Sequence, residues 1–174
     1  MSIDAAAFAK LGESFAGILY RPGDDGYDET RQVHNGMIDK RPAVIARCQG
    51  VADVVAAVNF AREHGLEISI RGGGHNVAGR AVCEGGLMID LAGLKGIHVD
   101  PRSRTARAQA GLNWGEFNRE TQLHGLATTG GVIGTSGGAA PQEVSSPVMD
   151  MVGTMPYQSI NGMLDAGFPK GALN

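Results

Sequence analysis

Ile68-Ser69-Ile70-Arg71 runs directly into Gly72-Gly73-Gly74-His75-Asn76, and Val77-Ala78-Gly79 follows. Nothing else in the chain restricts its fold so tightly. The alternating isoleucines predict a strand, and three glycines stop it at once. Glycine enters positive φ at little cost and carries no Cβ to hold a ligand away. Successive backbone N–H groups in such a turn converge into a concave nest for an anion. Arg71 brings a charge that deprotonation cannot remove, and His75 stands where its ring can reach whatever the nest holds. The run matches neither Gly-x-Gly-x-x-Gly opening a helix nor Gly-x-x-x-x-Gly-Lys-Ser/Thr. From these residues alone two readings stand: an anion cradle with a working histidine, or a tight turn with a surface histidine.

The flanking sequence says how the turn is delivered. Ala43 to Cys48 predicts a buried strand. Val51, Val54, Val55, Val58 and Ala61 fall at helical spacing, with Asp53, Arg62 and Glu63 mostly off that stripe, and His64-Gly65 closes the helix. Strand, helix and strand make a β–α–β unit, a suitable frame for a phosphate-bearing cofactor at its second strand. Upstream, Asp4 to Leu19 predicts one helix with Asp4 as its cap and Phe8, Leu11, Phe15, Ile18 and Leu19 on one face. Downstream, residues 86–91, 96–100 and 105–110 predict strands, the last two joined through the Asp100-Pro101-Arg102-Ser103 turn. Asn113 and Glu116 have capping-box spacing for a helix reaching His124, with Trp114, Phe117 and Thr121 inward. A second glycine-containing turn occupies 127–132. Residues 138–147 are small, polar and bounded by proline, which predicts a linker, and 148–174 is too short to form a domain.

Composition narrows the function classes. A chain of 174 residues has room for one domain, or one and a fragment. A net charge of −3 with interspersed signs leaves no footprint for nucleic acid or anionic lipid. No apolar run is long enough to span a membrane, and Met1-Ser2-Ile3-Asp4 opens no secretory signal, so the expected location is the cytoplasm. Cys48 and Cys83, far apart, are expected as buried thiols. The five histidines lack metal-ligand spacing, and no metal is expected.

From about Tyr20 to Gly137 the chain resembles the N-terminal half of FAD-linked oxidases of the berberine-bridge-enzyme-like group, within the vanillyl-alcohol-oxidase or PCMH type of FAD-binding fold. Six pieces in order carry the resemblance. They are Arg-Pro-Ala-Val-Ile-Ala at 41–46, Val51-Ala-Asp-Val54, Arg71-Gly-Gly-Gly-His75-Asn76, Gly86-Leu-Met-Ile-Asp90-Leu91, Gly111-Leu-Asn-Trp-Gly-Glu116 and His124-Gly-Leu-Ala-Thr-Thr-Gly-Gly131. The resemblance implies an α+β fold: the first α/β subdomain and part of the second, over residues 1–137.

It also implies a site. Gly72, Gly73, Gly74, Asn76 and Gly79 would cradle the FAD pyrophosphate, and His75 would bond covalently to the 8α carbon of the flavin. Arg71 would join the cofactor site or pair with a carboxylate such as Asp90. Gly130, Gly131 and Thr135 would line the isoalloxazine. Some family members add a second link through cysteine, where this chain has Ile133, so a single bond is expected. The implied chemistry is hydride transfer from a C–H of an alcohol, sugar or amine to flavin, then to O2. Past Gly137 the sequence departs from the family pattern. Residues 148–174 resemble a remnant of the substrate domain, as if a long internal segment were missing and the C-terminus cut short. No catalytic base is identifiable. Two alternatives therefore accompany the oxidase reading: a remnant that binds FAD or an ADP-like pyrophosphate without turnover, and a non-functional fragment.

Overall fold

The computed structural model describes residues 3–128, 133–137, 148–152 and 155–156. The expected linker, Gly130, Gly131 and residues 157–174 lie outside these.

Helix α1 spans Ala5–Glu13, and Asp4 caps it by accepting from the Ala6 N–H. It ends sooner than its apolar spacing predicts. Ser14 closes it, and Ile18 and Leu19 belong to strand β1 (Ile18–Tyr20). Strand β1 runs antiparallel to β2 (Val44–Arg47), with Ile18 opposite Arg47 and Tyr20 opposite Ile45. The reason is non-local: a sheet edge offers β1 backbone partners that a last helical turn could not match. The short helix α2 (Tyr27–Thr30) buries Tyr27, whose hydroxyl donates to the Pro42 carbonyl at 2.6 Å.

Helix α3 (Val51–Glu63) and strand β3 (Ile68–Arg71) complete the predicted unit, with His64 as C-cap and Gly65 at φ +61°. Strand β4 (Leu87–Asp90) then inserts between β2 and β3, giving the order β1-β2-β4-β3, the last three parallel. Leu87 and Ile89 face α1 and α3 together with Val44, Ala46, Ala57 and Phe60. Met88 and Ile45 face the other way, against Tyr27 and Val82. Complete burial of side chains this large contributes about 1.5–3 kcal/mol each.

The helix is turned differently from its valine stripe. Val51, Val55 and Val58 are exposed, whereas Asp53, Ala57, Phe60 and Ala61 are buried. Asp53 is held inside because its carboxylate accepts from the backbone N–H groups of Ala16 and Gln49, each at 2.8 Å. On β3, Ser69 points inward while Ile68 and Ile70 are partly exposed at the sheet edge.

The second half begins with the predicted hairpin, β5 (Ile97–Asp100) and β6 (Thr105–Gln109). The Asp100 carboxylate accepts from the N–H groups of Arg102 and Ser103 in its turn. Helix α4 (Trp114–Gln122) has the full capping box between Asn113 and Glu116 and buries Trp114, Phe117 and Thr121. Strand β7 (Leu126–Ala127) pairs with β9 (Met155–Pro156), and β8 (Val148–Val152) lies antiparallel to β6. Both cysteines are free and buried.

Candidate cofactor site

Strands β2, β4 and β3 all end at the same edge, and the glycine turn springs from the end of β3. In parallel sheets, ligands bind in the crevice outside the carboxyl ends of the strands. Here that end carries a row of charge: Arg47, Asp90 and Arg71 are direct register partners across the three strands. Asp90 is fully buried and pairs with Arg71 Nη1 at 3.1 Å and Arg47 Nε at 3.5 Å. Its Oδ1 also accepts from the Ala92 N–H. Arg71 thus makes the carboxylate pairing that its sequence position allowed. Its Nε is left buried and without a hydrogen-bond partner, about 3.4 Å from where a Cβ of Gly74 would lie.

The glycines of the turn serve two different needs. Gly74 sits at φ +72°, a conformation L side chains rarely adopt. Gly73 instead permits close approach: a Cβ there would stand 2.9 Å from Gly137 Cα and nearer still to its nitrogen. The segment 133–137 therefore lies directly on the first turn, and Asn113 and Gly137 form a β-bridge behind it. Two glycine-bearing stretches far apart in sequence are brought together in this way. Thr135 is exposed on the second.

Among the described residues, no backbone carbonyl accepts from the N–H groups of Gly73, Gly74, His75 or Asn76. Partly buried donors without acceptors among the described residues, beside an unpartnered guanidinium nitrogen, form a donor set suited to an anion such as a pyrophosphate. Asn76 and Gly79 are engaged in shaping the loop: Asn76 Oδ1 accepts from Arg80 N–H, and the Gly79 N–H donates to the Asn76 carbonyl.

Residues 31–40, which carried no expected role, strap the turn from outside. The His34 N–H donates to the Gly74 carbonyl at 3.0 Å. Asn35 Nδ2 donates to the Val77 carbonyl and Lys40 Nζ to that of Gly79. The His34 imidazole stacks on that of His75, centroids 4.2 Å apart and planes 18° from parallel. Burial pushes the His75 pKa below the ordinary histidine value, and the neighbouring His34 adds to the effect. No local signal marks His34, because the contact joins positions 41 apart, with β2, α3 and β3 between them, and His34 itself lies in no regular element whose periodicity could orient it. Ile133 is exposed.

A mixed sheet with α1 and α3 on one face and the short α2 on the other, opening at its strand ends onto a glycine turn, is the PCMH type of FAD-binding fold in its N-terminal part. The chain belongs to the FAD binding domain family, whose sequence model matches residues 42–162. It is 38% identical over 119 residues to (R)-6-hydroxynicotine oxidase of Paenarthrobacter nicotinovorans, covering 68% of this chain and 26% of that protein. An FAD-linked oxidoreductase of Dictyostelium discoideum is 31% identical, with 72% of this chain and 27% of that one covered. The crystal structure of 6-hydroxy-D-nicotine oxidase from Arthrobacter nicotinovorans superposes with a TM-score of 0.70 at 37% identity, over 72% of this chain and 28% of that one. BBE-like 1 of Physcomitrella patens gives 0.71 at 25% identity, over 75% and 29%. The family inferred from six short motifs is thus the family to which the chain belongs. The chain spans about a quarter of the length of the curated relatives it matches.

Proposed function

We propose that this chain binds FAD at the glycine turn, with the pyrophosphate on the N–H groups of Gly72 to Asn76 and the flavin joined to His75 by a single covalent bond. The observation that carries this reading is the run of backbone donors from Gly73 to Asn76 that have no acceptor among the described residues, next to the free Arg71 Nε. Fixed dipoles of this kind need no reorganisation to meet negative charge. Gly79 and Asn76 hold the loop's shape, while Gly130, Gly131 and Thr135 line the isoalloxazine side.

Bound FAD supplies a two-electron acceptor that dioxygen reoxidises. The protein's part is positional. Arg71, anchored by Asp90, holds its Nε at the turn, the strap 31–40 fixes the far side of the loop, and a tether at His75 sets the ring's distance from substrate. The proposed reaction is hydride transfer from an alcohol, sugar or amine C–H to flavin and then to O2, with release of hydrogen peroxide. The relatives named for hydroxynicotine oxidation and the chitooligosaccharide oxidase with 27% identity support that range. The proposed location is the cytoplasm.

In a second reading, the same donors hold FAD or an ADP-like pyrophosphate without turnover of substrate.

Acid precipitation of the purified chain, with His75→Ala alongside, tests the site. The expected result is a yellow pellet from the wild type and a colourless one from the variant. Flavin in neither pellet nor supernatant overturns the FAD reading. Flavin in the wild-type supernatant alone overturns the covalent bond. Substrate-dependent hydrogen peroxide then separates the oxidase from the cofactor-holding chain.

A further inference from the structure

We propose that His34 is a positioning residue for His75: its imidazole covers one face of the His75 ring, fixes the ring's orientation and keeps it the neutral nucleophile for the flavin methyl carbon. This rests on the reading of His75 as the attachment point.

Geometry carries the inference. The rings are nearly parallel and in van der Waals contact, so His34 occupies a face and leaves the edge clear. The ring nitrogens lie on that edge, and among the described residues neither of those of His75 has a hydrogen-bond partner. A lone pair used for attack lies in the ring plane, so the stack restrains the nucleophile without blocking it. His34 is itself held, because its own N–H donates to the carbonyl of Gly74, one residue before His75. The backbone bond and the ring stack together form a two-point clamp on the end of the turn.

Charge works in the same direction. Two stacked imidazolium ions repel, so His34 opposes protonation of His75 in addition to the effect of burial. The other charged groups of the turn and strap are committed elsewhere. Arg71 pairs with Asp90, Arg31 with Asp28 and Asp39, and Lys40 Nζ donates to the Gly79 carbonyl. In the step served, a His75 ring nitrogen bonds to the methyl carbon while the imidazole N–H and one methyl C–H break. Two electrons and two protons pass to the isoalloxazine, and dioxygen removes both pairs as hydrogen peroxide. A protonated imidazole has no lone pair for this bond.

The test follows acid-stable flavin with time when FAD is added to the full, flavin-free chain between about pH 5.5 and 8.5, bracketing the histidine range. Wild type, His34→Phe and His34→Ala are compared. Phenylalanine keeps a stacking ring without the charge, so incorporation persists at the alkaline end while its acid limb moves to higher pH. Alanine removes the stack and leaves only the backbone bond of the clamp, and incorporation slows about tenfold or more at every pH, the scale expected when a reacting group is held out of line. NMR titration of His75 in the same flavin-free chains gives an independent reading: its pKa rises in both variants. An acid limb and a His75 titration both unchanged in His34→Phe overturn the role given to His34, even where wild type incorporates flavin normally. A wild type without acid-stable flavin at any pH overturns the attachment itself, and the role with it.

Discussion

Asp90 is the residue on which the site's framework most depends. It is completely buried, yet it faces two guanidinium groups of unequal standing: the Arg71 side chain is 21% exposed and that of Arg47 41%. A buried ion pair adds little net stability, but removing one partner strands the other. Asp90→Ala leaves Arg71 without its counter-ion beside the turn and the Ala92 N–H without an acceptor. The expected cost is about 3 kcal/mol, a fall in melting temperature of roughly 6–12 °C for a chain of this size. Arg47→Ala loses only a longer, half-exposed contact and costs less than about 1 kcal/mol. Thermal melts of both variants check the ranking. Equal losses would mean that Asp90 is not the keystone of the row.

At the scale of elements, helix α3 separates what sequence periodicity contains from what it omits. Its limits were legible, since Gly65 and the valine spacing mark them. Its rotation was not, because Val51-Val54-Val55-Val58-Ala61 and Asp53-Ala57-Phe60 both recur at helical spacing, and of the first set only Ala61 is buried, with Val54 partly so. The choice between them was made by two backbone N–H groups outside the helix, those of Ala16 and Gln49. Asp53→Ala should therefore cost about 2 kcal/mol, as two donors lose a charged acceptor. Val55→Thr should stay within about 0.5 kcal/mol, as at other exposed positions. Denaturant unfolding of the pair would restore the valine-inward helix if the order came out reversed. The same distinction runs through the rest of the fold. The capping box at Asn113 and the hairpin turn at Asp100 are local, and the sequence reveals them. Strand β1, the insertion of β4 between β2 and β3, and the His34–His75 stack depend on partners far along the chain. The Arg71–Asp90 pair was legible as an option only, since a charged residue at a strand end does not name its partner. Gly72–Gly74 were legible as a turn, but the close approach of Gly137 to Gly73 was not.

Across the whole molecule, the perturbed ionisable groups bound the pH range in which the fold is secure. On the acid side, burial and His34 favour neutral His75 in the folded chain. The unfolded chain takes up that proton first, and stability falls as pH drops below about 6.5. The carboxylates follow at lower pH. Burial raises the Glu116 pKa, but bonds from Lys95 and the Asn113 N–H outweigh it and hold the group below the usual range. Arg31 does the same for Asp28, and Ser103 for Asp100. Each contributes stability above its unfolded pKa that is lost as pH falls through its folded one. On the alkaline side, burial pushes the Cys48 thiol from 9.0 up to about 12 and also raises Cys83 and Tyr27. Above pH 9 the unfolded thiols ionise ahead of the folded ones, and Cys48 alone removes about 1.4 kcal/mol per pH unit. Stability measured by denaturant unfolding under reducing conditions should thus be level between about pH 7 and 8.5 and fall on both sides. Cys48→Ala should lower the plateau and flatten the alkaline limb, while His75→Gln should flatten the first part of the acid limb alone. A wild-type curve that stayed level to pH 11 would show that the Cys48 thiol is not held in the apolar interior between the sheet and its helices.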